Sequence, residues 1–203
     1  DTIGVRIPNN ITALKLIKSF GKPIAAPSAN TSSSLSPTEA NHVYEYFKND
    51  KNLSIILDGG STQIGLESTI INLDNDKIEI LRHGGVSAEE LKEKFPQKVI
   101  NIEQKANEII IAPGMLSKHY SPAVPLRINA KKAEKNELLI GFGPNYNAPN
   151  LSFEGSLVEA ASNLFSFLAK YQKKHSKIAI APIPNKGIGR AINDRIKRAT
   201  SKN

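Results

Sequence analysis

The chain has 203 residues, 39% of them hydrophobic and 23% charged, enough apolar material for a folded core in one large domain or two small ones. It contains no cysteine, which excludes a disulfide framework, a thiolate nucleophile and any zinc or iron–sulfur site built on sulfur. The net charge of +8 sits at one end: residues 170–203 hold ten Lys or Arg against Asp194 alone, whereas residues 1–169 are nearly balanced.

Strand and helix patterns alternate through the first hundred residues. TIGVRI is β-rich and stops at Pro8. Ile11, Leu14, Leu16, Ile17 and Phe20 then fall at helical spacing, and Gly21 follows as a C-terminal stop. KPIAA reads as a short buried strand leading into the polar loop PSANTSSSLS. Ser36-Pro37-Thr38-Glu39 has the form of a capping box with proline at the first helical position, with Ala40, Val43, Tyr44 and Phe47 as the apolar stripe behind it. SIIL breaks at Asp58-Gly59-Gly60, STIINL and IEILR are further strands, and Ser87 to Glu90 caps a helix carrying Leu91 and Phe95.

Between residues 104 and 126 the periodicity dissolves into a tract with Met115, His119 and Tyr120, side chains a passive linker does not need. A second, smaller unit follows. ELLIGFG is a strand, SLVEAASNLFSFLAKYQ an amphipathic helix begun at a Ser156–Glu159 capping box, KIAIAPI a strand and GIGRAINDRIKRA a closing helix. Strand, helix, strand, helix predicts a parallel α/β sheet. The expected division is therefore 1–103, a linker at 104–126, and 127–203.

The loop Pro27-Ser28-Ala29-Asn30 with Ser32, Ser33, Ser34 and Ser36 lies between a strand end and a helix start, where an open α/β sheet collects anionic ligands. Phosphate would find short hydroxyl and amide donors there; the alternative is an ordinary serine turn capping its own helix. A second cluster joins Asp58-Gly59-Gly60, Gly65-Leu66-Glu67-Ser68-Thr69 and Arg82 with Gly84 and Gly85. Here glycines permit close backbone approach and the guanidinium suits a phosphate or carboxylate, or else these are hairpin turns and a surface arginine. Arg6 on the first strand is either edge-exposed or aimed into a cleft. The basic tail either attracts a polyanion such as RNA or is the solvated side of its helices. GxGxxG, GxxxxGK[ST], GxSxG and HExxH signatures are absent, and His42, His83, His119 and His175 are too scattered for a metal site.

Taken in order, PSAN with its serine turn and SPT, then DGG, G-x-EST, R-x-GG and PGM-x-x-x-HYSP resemble the two-domain threonylcarbamoyl-AMP synthases, a YrdC-type domain with a C-terminal extension. NLFSFLAK and IAIAPIPNKGIGRAINDRIKRA are similar to that family's smaller Rossmann-like domain. The resemblance implies an α/β fold: a twisted mixed sheet in a YrdC-like domain, incomplete here, followed by a small Rossmann-like parallel unit. It implies an enzyme that makes threonylcarbamoyl-adenylate and pyrophosphate from L-threonine, bicarbonate and ATP, with Mg²⁺ on the ATP phosphates, for use by downstream threonylcarbamoyl-transfer proteins in tRNA modification. Thr2, Ser28, Asn30, Ser36, Arg82 and Tyr120 are implied to contact ATP. Arg6, the backbone at Ala26 and Ser68 are implied to hold threonine, and no covalent nucleophile is needed.

Three positions depart from the family pattern: Ser33 where glycine is usual, His83 where proline is common, and PGMLSKHY in the linker. The family's lysine-and-arginine phosphate motif is not in this sequence, so the expectation is an N-terminally truncated chain, inactive and poorly folded alone. Two rival expectations stand beside the enzyme: an RNA-binding YrdC-like module contacting tRNA or double-stranded RNA, and a carbamoyl- or acyl-transferase using an adenylate made elsewhere. No stretch approaches about 18 apolar residues and no signal peptide is visible, so the expectation is a cytoplasmic protein without a membrane partner.

Overall fold

The computed structural model describes residues 2–74, 76–101 and 120–200. Among them, two three-stranded sheets and five helices give the mixed α/β architecture expected.

Helix α1, Ile11–Phe20, is set by local chemistry at both ends. The Asn10 side chain accepts from the Ala13 amide at 3.0 Å, and Gly21, at φ +70°, takes the left-handed turn that ends it. Asn10 also donates to the Gly59 carbonyl at 3.0 Å, tying the helix start to the Asp58-Gly59-Gly60 turn.

Helix α2, Ala40–Phe47, starts later than predicted. Its N-cap is Glu39, with no side-chain cap, and no residue of the helix is buried. The Ser36–Glu39 capping box does not form because its members are engaged elsewhere. Ser36 donates to Glu67, and both the amide and the hydroxyl of Thr38 lie 3.3 Å from His42 Nδ1. A charge-assisted bond to a distant carboxylate outcompetes a local amide.

The predicted strands TIGVRI, KPIAA and SIIL form no ladder among the described residues. A strand needs a partner to satisfy its N–H and C=O groups, and among the described residues these three segments pair with none. Most of their apolar side chains are exposed, Ile3 at 86% and Ile7 at 87%, while Ile56 is half-buried.

The first sheet has the order β1 (Ile70–Asp74), β2 (Lys77–Arg82), β3 (Val99–Asn101), with β1 and β2 antiparallel and β2 and β3 parallel. Ile78 and Ile80 alternate inward on β2 and Ile80 packs on Ala88 and Leu91 of α3, Ala88–Lys94. The predicted Ser87–Glu90 box is present with both reciprocal bonds.

The second sheet, β4 (Leu126–Arg127), β6 (Ile178–Ile180), β5 (Leu138–Ile140), is parallel throughout, as predicted. Strand β4 was not anticipated and lies at the end of the expected linker. Residues 104–119 of that linker, with Met115 and His119, lie outside the described residues. Helix α4, Leu157–Tyr171, buries Ala160, Ala161, Leu164, Phe165 and Leu168, a stripe at helical spacing worth about 1.5–3 kcal/mol for each large side chain. Its cap is closed through a third residue. Ser156 accepts from the Glu159 amide, but the Glu159 carboxylate takes the Ser152 hydroxyl, which in turn accepts from the Ser156 amide at 2.9 Å. Helix α5, Gly189–Thr200, turns Ala191, Ile192, Arg195, Ile196 and Ala199 inward.

The main core holds α4, α5 and β6 together with two side chains from outside this unit, Leu35 of the serine loop and Tyr120. Gly65 packs on the α4 backbone so closely that a Cβ there would run into the Ala161 and Ser162 carbonyls. Among the described residues no helix is long and apolar enough to cross a membrane.

Candidate functional site

Two loops of the first unit are zipped together and carry the candidate side chains. The Gly85 amide donates to the Glu67 carbonyl at 3.1 Å, and the Val86 amide donates to the Thr69 hydroxyl at 3.1 Å, which donates back to the Val86 carbonyl. Gly84 lies between them against the backbone of residues 67–69, where a Cβ would collide. A glycine is needed here for space.

Ser68 is the meeting point. Arg82 donates through Nε and Nη2 to its carbonyl at 3.2 and 2.8 Å, and Arg6 Nη1 donates to its hydroxyl at 3.3 Å. Arg82 is buried, at 8% exposure, whereas Arg6 stays exposed. Burial pulls Arg82 below the ordinary guanidinium value, and repulsion from Arg195 and Arg6 pulls the same way. Three guanidinium groups, Arg6, Arg82 and Arg195, thus stand near one another, with Glu67 opposing them.

Beneath Ser68 lies a buried ion pair absent from the sequence expectations. Arg195 of α5, fully buried, donates through Nε to Glu67 at 2.7 Å, through Nη2 to the His83 carbonyl at 2.8 Å and through Nη1 to Asp194 at 2.5 Å. The other Glu67 oxygen accepts from Ser36 Oγ at 2.5 Å. Burial tends to raise the Glu67 carboxyl, but Arg195 and the two side-chain hydrogen bonds outweigh it and hold the group below the usual carboxylate range. Arg195 lies in the basic tail, for which the solvated side of a helix is one of the two sequence readings. That reading fails for Arg195, which occupies a core position on the Ala191, Ile192, Ile196, Ala199 stripe; the same stripe was the signal available to find it.

The serine loop joins the cluster from the other side. The Ser121 amide donates to the Ser33 carbonyl at 3.0 Å, and Asn30 Nδ2 donates to the Ser34 carbonyl at 3.0 Å. Asn30 Oδ1 is buried with no hydrogen-bond partner among the described residues. Thr2, Ala26 and Ser28 are exposed.

Tyr120, which the resemblance implies contacts ATP, has its ring enclosed by protein at 1% exposure, with Phe165 at 5.6 Å between centroids and the Arg195 guanidinium at 5.1 Å from the ring centre. An aromatic neighbour and a cation over the ring make that position favourable. Of the nine side chains and backbone positions singled out, Arg6, Ser68, Arg82, Ser36 and Tyr120 are thus linked through Glu67 and Arg195, and Asn30 lies on the adjoining loop.

A separate hollow of about 390 Å³ lies on the second unit, lined by Lys131, Leu138, Leu139, Tyr146 and Pro149 among others, and shares no residue with this cluster.

Residues 1–84 match the family model described as telomere recombination, and residues 86–201 match that of the threonylcarbamoyl-AMP synthase C-terminal domain. Threonylcarbamoyl-AMP synthase of Pyrococcus abyssi is 34% identical over 98% of this chain, and that of Bacillus subtilis 32% identical over 98%. The chain spans 64% and 63% of the lengths of these two proteins. The Schizosaccharomyces pombe synthase is 37% identical over 66% of the chain and 34% of its own length. The crystal structure of P. abyssi Sua5 complexed with L-threonine is similar at a TM-score of 0.80 and 32% identity, covering 96% of this chain and 63% of that one. With both family models matched in sequence order and the fold in agreement, the chain belongs to the threonylcarbamoyl-AMP synthase family.

Proposed function

We propose that this protein takes part in making L-threonylcarbamoyl-adenylate and pyrophosphate from L-threonine, bicarbonate and ATP. The observation that carries the reading is the convergence of Arg6 and Arg82 on Ser68, next to the serine loop. An exposed guanidinium beside a hydroxyl matches an amino acid's carboxylate, and Arg6 is assigned that carboxylate with Ser68 and the backbone at Ala26 completing the threonine site. That a P. abyssi relative has been crystallised with L-threonine supports the assignment.

ATP is assigned to Thr2, Ser28, Asn30, Ser36 and Arg82, with Tyr120 closing that side from beneath. The buried Oδ1 of Asn30, which has no hydrogen-bond partner among the described residues, is an acceptor that a ribose hydroxyl or an adenine amino group would satisfy. Magnesium enters with the ATP substrate, on its phosphate oxygens.

The chemistry fits a site without a nucleophilic side chain. The threonine amine and bicarbonate condense to a carbamate with loss of water, and a carbamate oxygen then attacks the α-phosphorus of ATP and displaces pyrophosphate. The carbamate loses CO₂ readily in water, so the protein's work is to hold it in line, neutralise charge and exclude solvent. The adenylate would pass to transfer proteins that modify tRNA in the cytoplasm.

The test is pyrophosphate release from ATP by the intact protein, with and without threonine and bicarbonate. Release that requires both supports the reading; release that ignores threonine overturns it. An RNA-binding role is the second reading, favoured by exposed Lys170, Lys173, Lys174 and Lys177 around the end of α4. Salt-sensitive tRNA binding without threonine-dependent chemistry would select it.

A further inference from the structure

We propose that Arg195 is a positioning residue through which the C-terminal unit holds the two ligand-facing loops of the first unit in register. The inference rests on the functional reading above for its consequence, but not for its geometry.

Each donor of the Arg195 guanidinium has a separate task. Nε binds the Glu67 carboxylate, one residue before Ser68, and Nη2 binds the His83 carbonyl, one residue after Arg82. One planar fork thus holds both loops at positions adjacent to the two side chains assigned to ligand. Nη1 binds Asp194, which also accepts from Arg198 at 2.9 Å, so the fork is itself oriented within α5. The Tyr120 ring covers the guanidinium. Glu67 passes the constraint on, because its second oxygen accepts from Ser36 on the serine loop. Three loops that are separate in sequence therefore converge on one side chain of the last helix.

A purely stabilising ion pair would need only one carboxylate partner, and a buried pair is often no better for stability than apolar side chains of the same volume. The bridging carbonyl and the relay to Ser36 are what an apolar replacement cannot supply. Glu89 and Arg190, paired at 2.6 Å, make a second ion pair between the units, but Glu89 is half exposed and stands well apart from Ser68 in sequence.

The experiment compares the intact wild-type protein with Arg195→Met, Arg195→Lys and the double variant Glu67→Gln/Arg195→Met. Amide hydrogen exchange at residues 67–69 and 82–86 reads positioning directly. Arg195→Met is expected to accelerate exchange at Gly85 and Val86 at least tenfold while β5 and β6 amides stay protected; unchanged Gly85 and Val86 would overturn the inference whatever the activity. In the pyrophosphate assay, Arg195→Met is expected to raise the KM for threonine at least tenfold, with a smaller change in kcat, and Arg195→Lys to recover part of the loss. The double variant removes the orphaned carboxylate, so its melting temperature should recover most of what Arg195→Met loses while its KM stays raised. A double variant with wild-type KM would show a structural role only and overturn the inference. Wild-type protein without threonine-dependent activity would sink the functional reading and leave the exchange result to decide this one.

Discussion

The amide of Ser121 donates to the carbonyl of Ser33 at 3.0 Å, so the segment entering the second unit is pinned to the serine loop of the first. The adjoining side chains reinforce it: Leu35 and Tyr120 share one apolar core with Phe165 of α4. The loop assigned to nucleotide is thereby held from below by the C-terminal unit.

Leu35→Ala should therefore act on both stability and the loop. Truncating a side chain only 2% exposed is expected to cost about 2–5 kcal/mol in urea unfolding. Exchange of the Ser121 amide should rise in parallel, and a loss below about 1 kcal/mol would show the loop is not anchored there.

Glycines at the loop junctions should differ sharply. Gly84→Ala and Gly65→Ala drive a Cβ into rigid backbone and are expected to destabilise by about 1–3 kcal/mol or more. At Gly85 the new Cβ meets only the Ile64 side chain at 3.3 Å, which can shift, so Gly85→Ala should cost less than about 1 kcal/mol. Equal melting temperatures for the Gly84 and Gly85 variants would contradict the packing described.

Acid should reveal the Glu67–Arg195 pair. The Glu67 carboxyl is held below its ordinary range when folded and returns to about 4.3 when unfolded. Its contribution is thus present above the unfolded value and is lost as pH falls through the lowered folded value, because the unfolded chain then binds the proton more readily. Wild type should exceed Glu67→Gln by about 3 kcal/mol near neutrality, and the gap should narrow below about pH 4. A gap independent of pH would mean that the carboxyl titrates alike in the folded and unfolded protein, and a gap that widens as pH falls would mean that it is neutral in the folded protein.

Arg6 offers the opposite profile. Its side chain is exposed, so Arg6→Ala should leave the unfolding midpoint within about 0.5 kcal/mol of wild type. A lost charge-assisted bond of about 1.5–3 kcal/mol should raise the threonine KM roughly 10- to 100-fold, with Arg6→Lys in between. An unchanged KM would remove Arg6 from the threonine site.

Much of the local architecture is determined by neighbours within four residues, and that part is legible without coordinates. Gly21 ends α1, the Ser87–Glu90 box starts α3, Ser156 caps α4, and the apolar stripe of α4 and the parallel second sheet follow from periodicity and element order. The motifs of the candidate site are likewise visible as residues. What they bond to is not. Ser36 has the form of a local cap, yet its partner is Glu67, 31 positions away. Arg195 reads as one more charge in a basic tail until a carboxylate 128 positions distant and the core around α5 bury it. The segments TIGVRI, KPIAA and SIIL have strand composition but form no ladder among the described residues, because pairing is a property of two segments and not of one. Caps and helical stripes depend on contacts the backbone brings about on its own, whereas ion pairs and strand partners depend on where the chain returns in space.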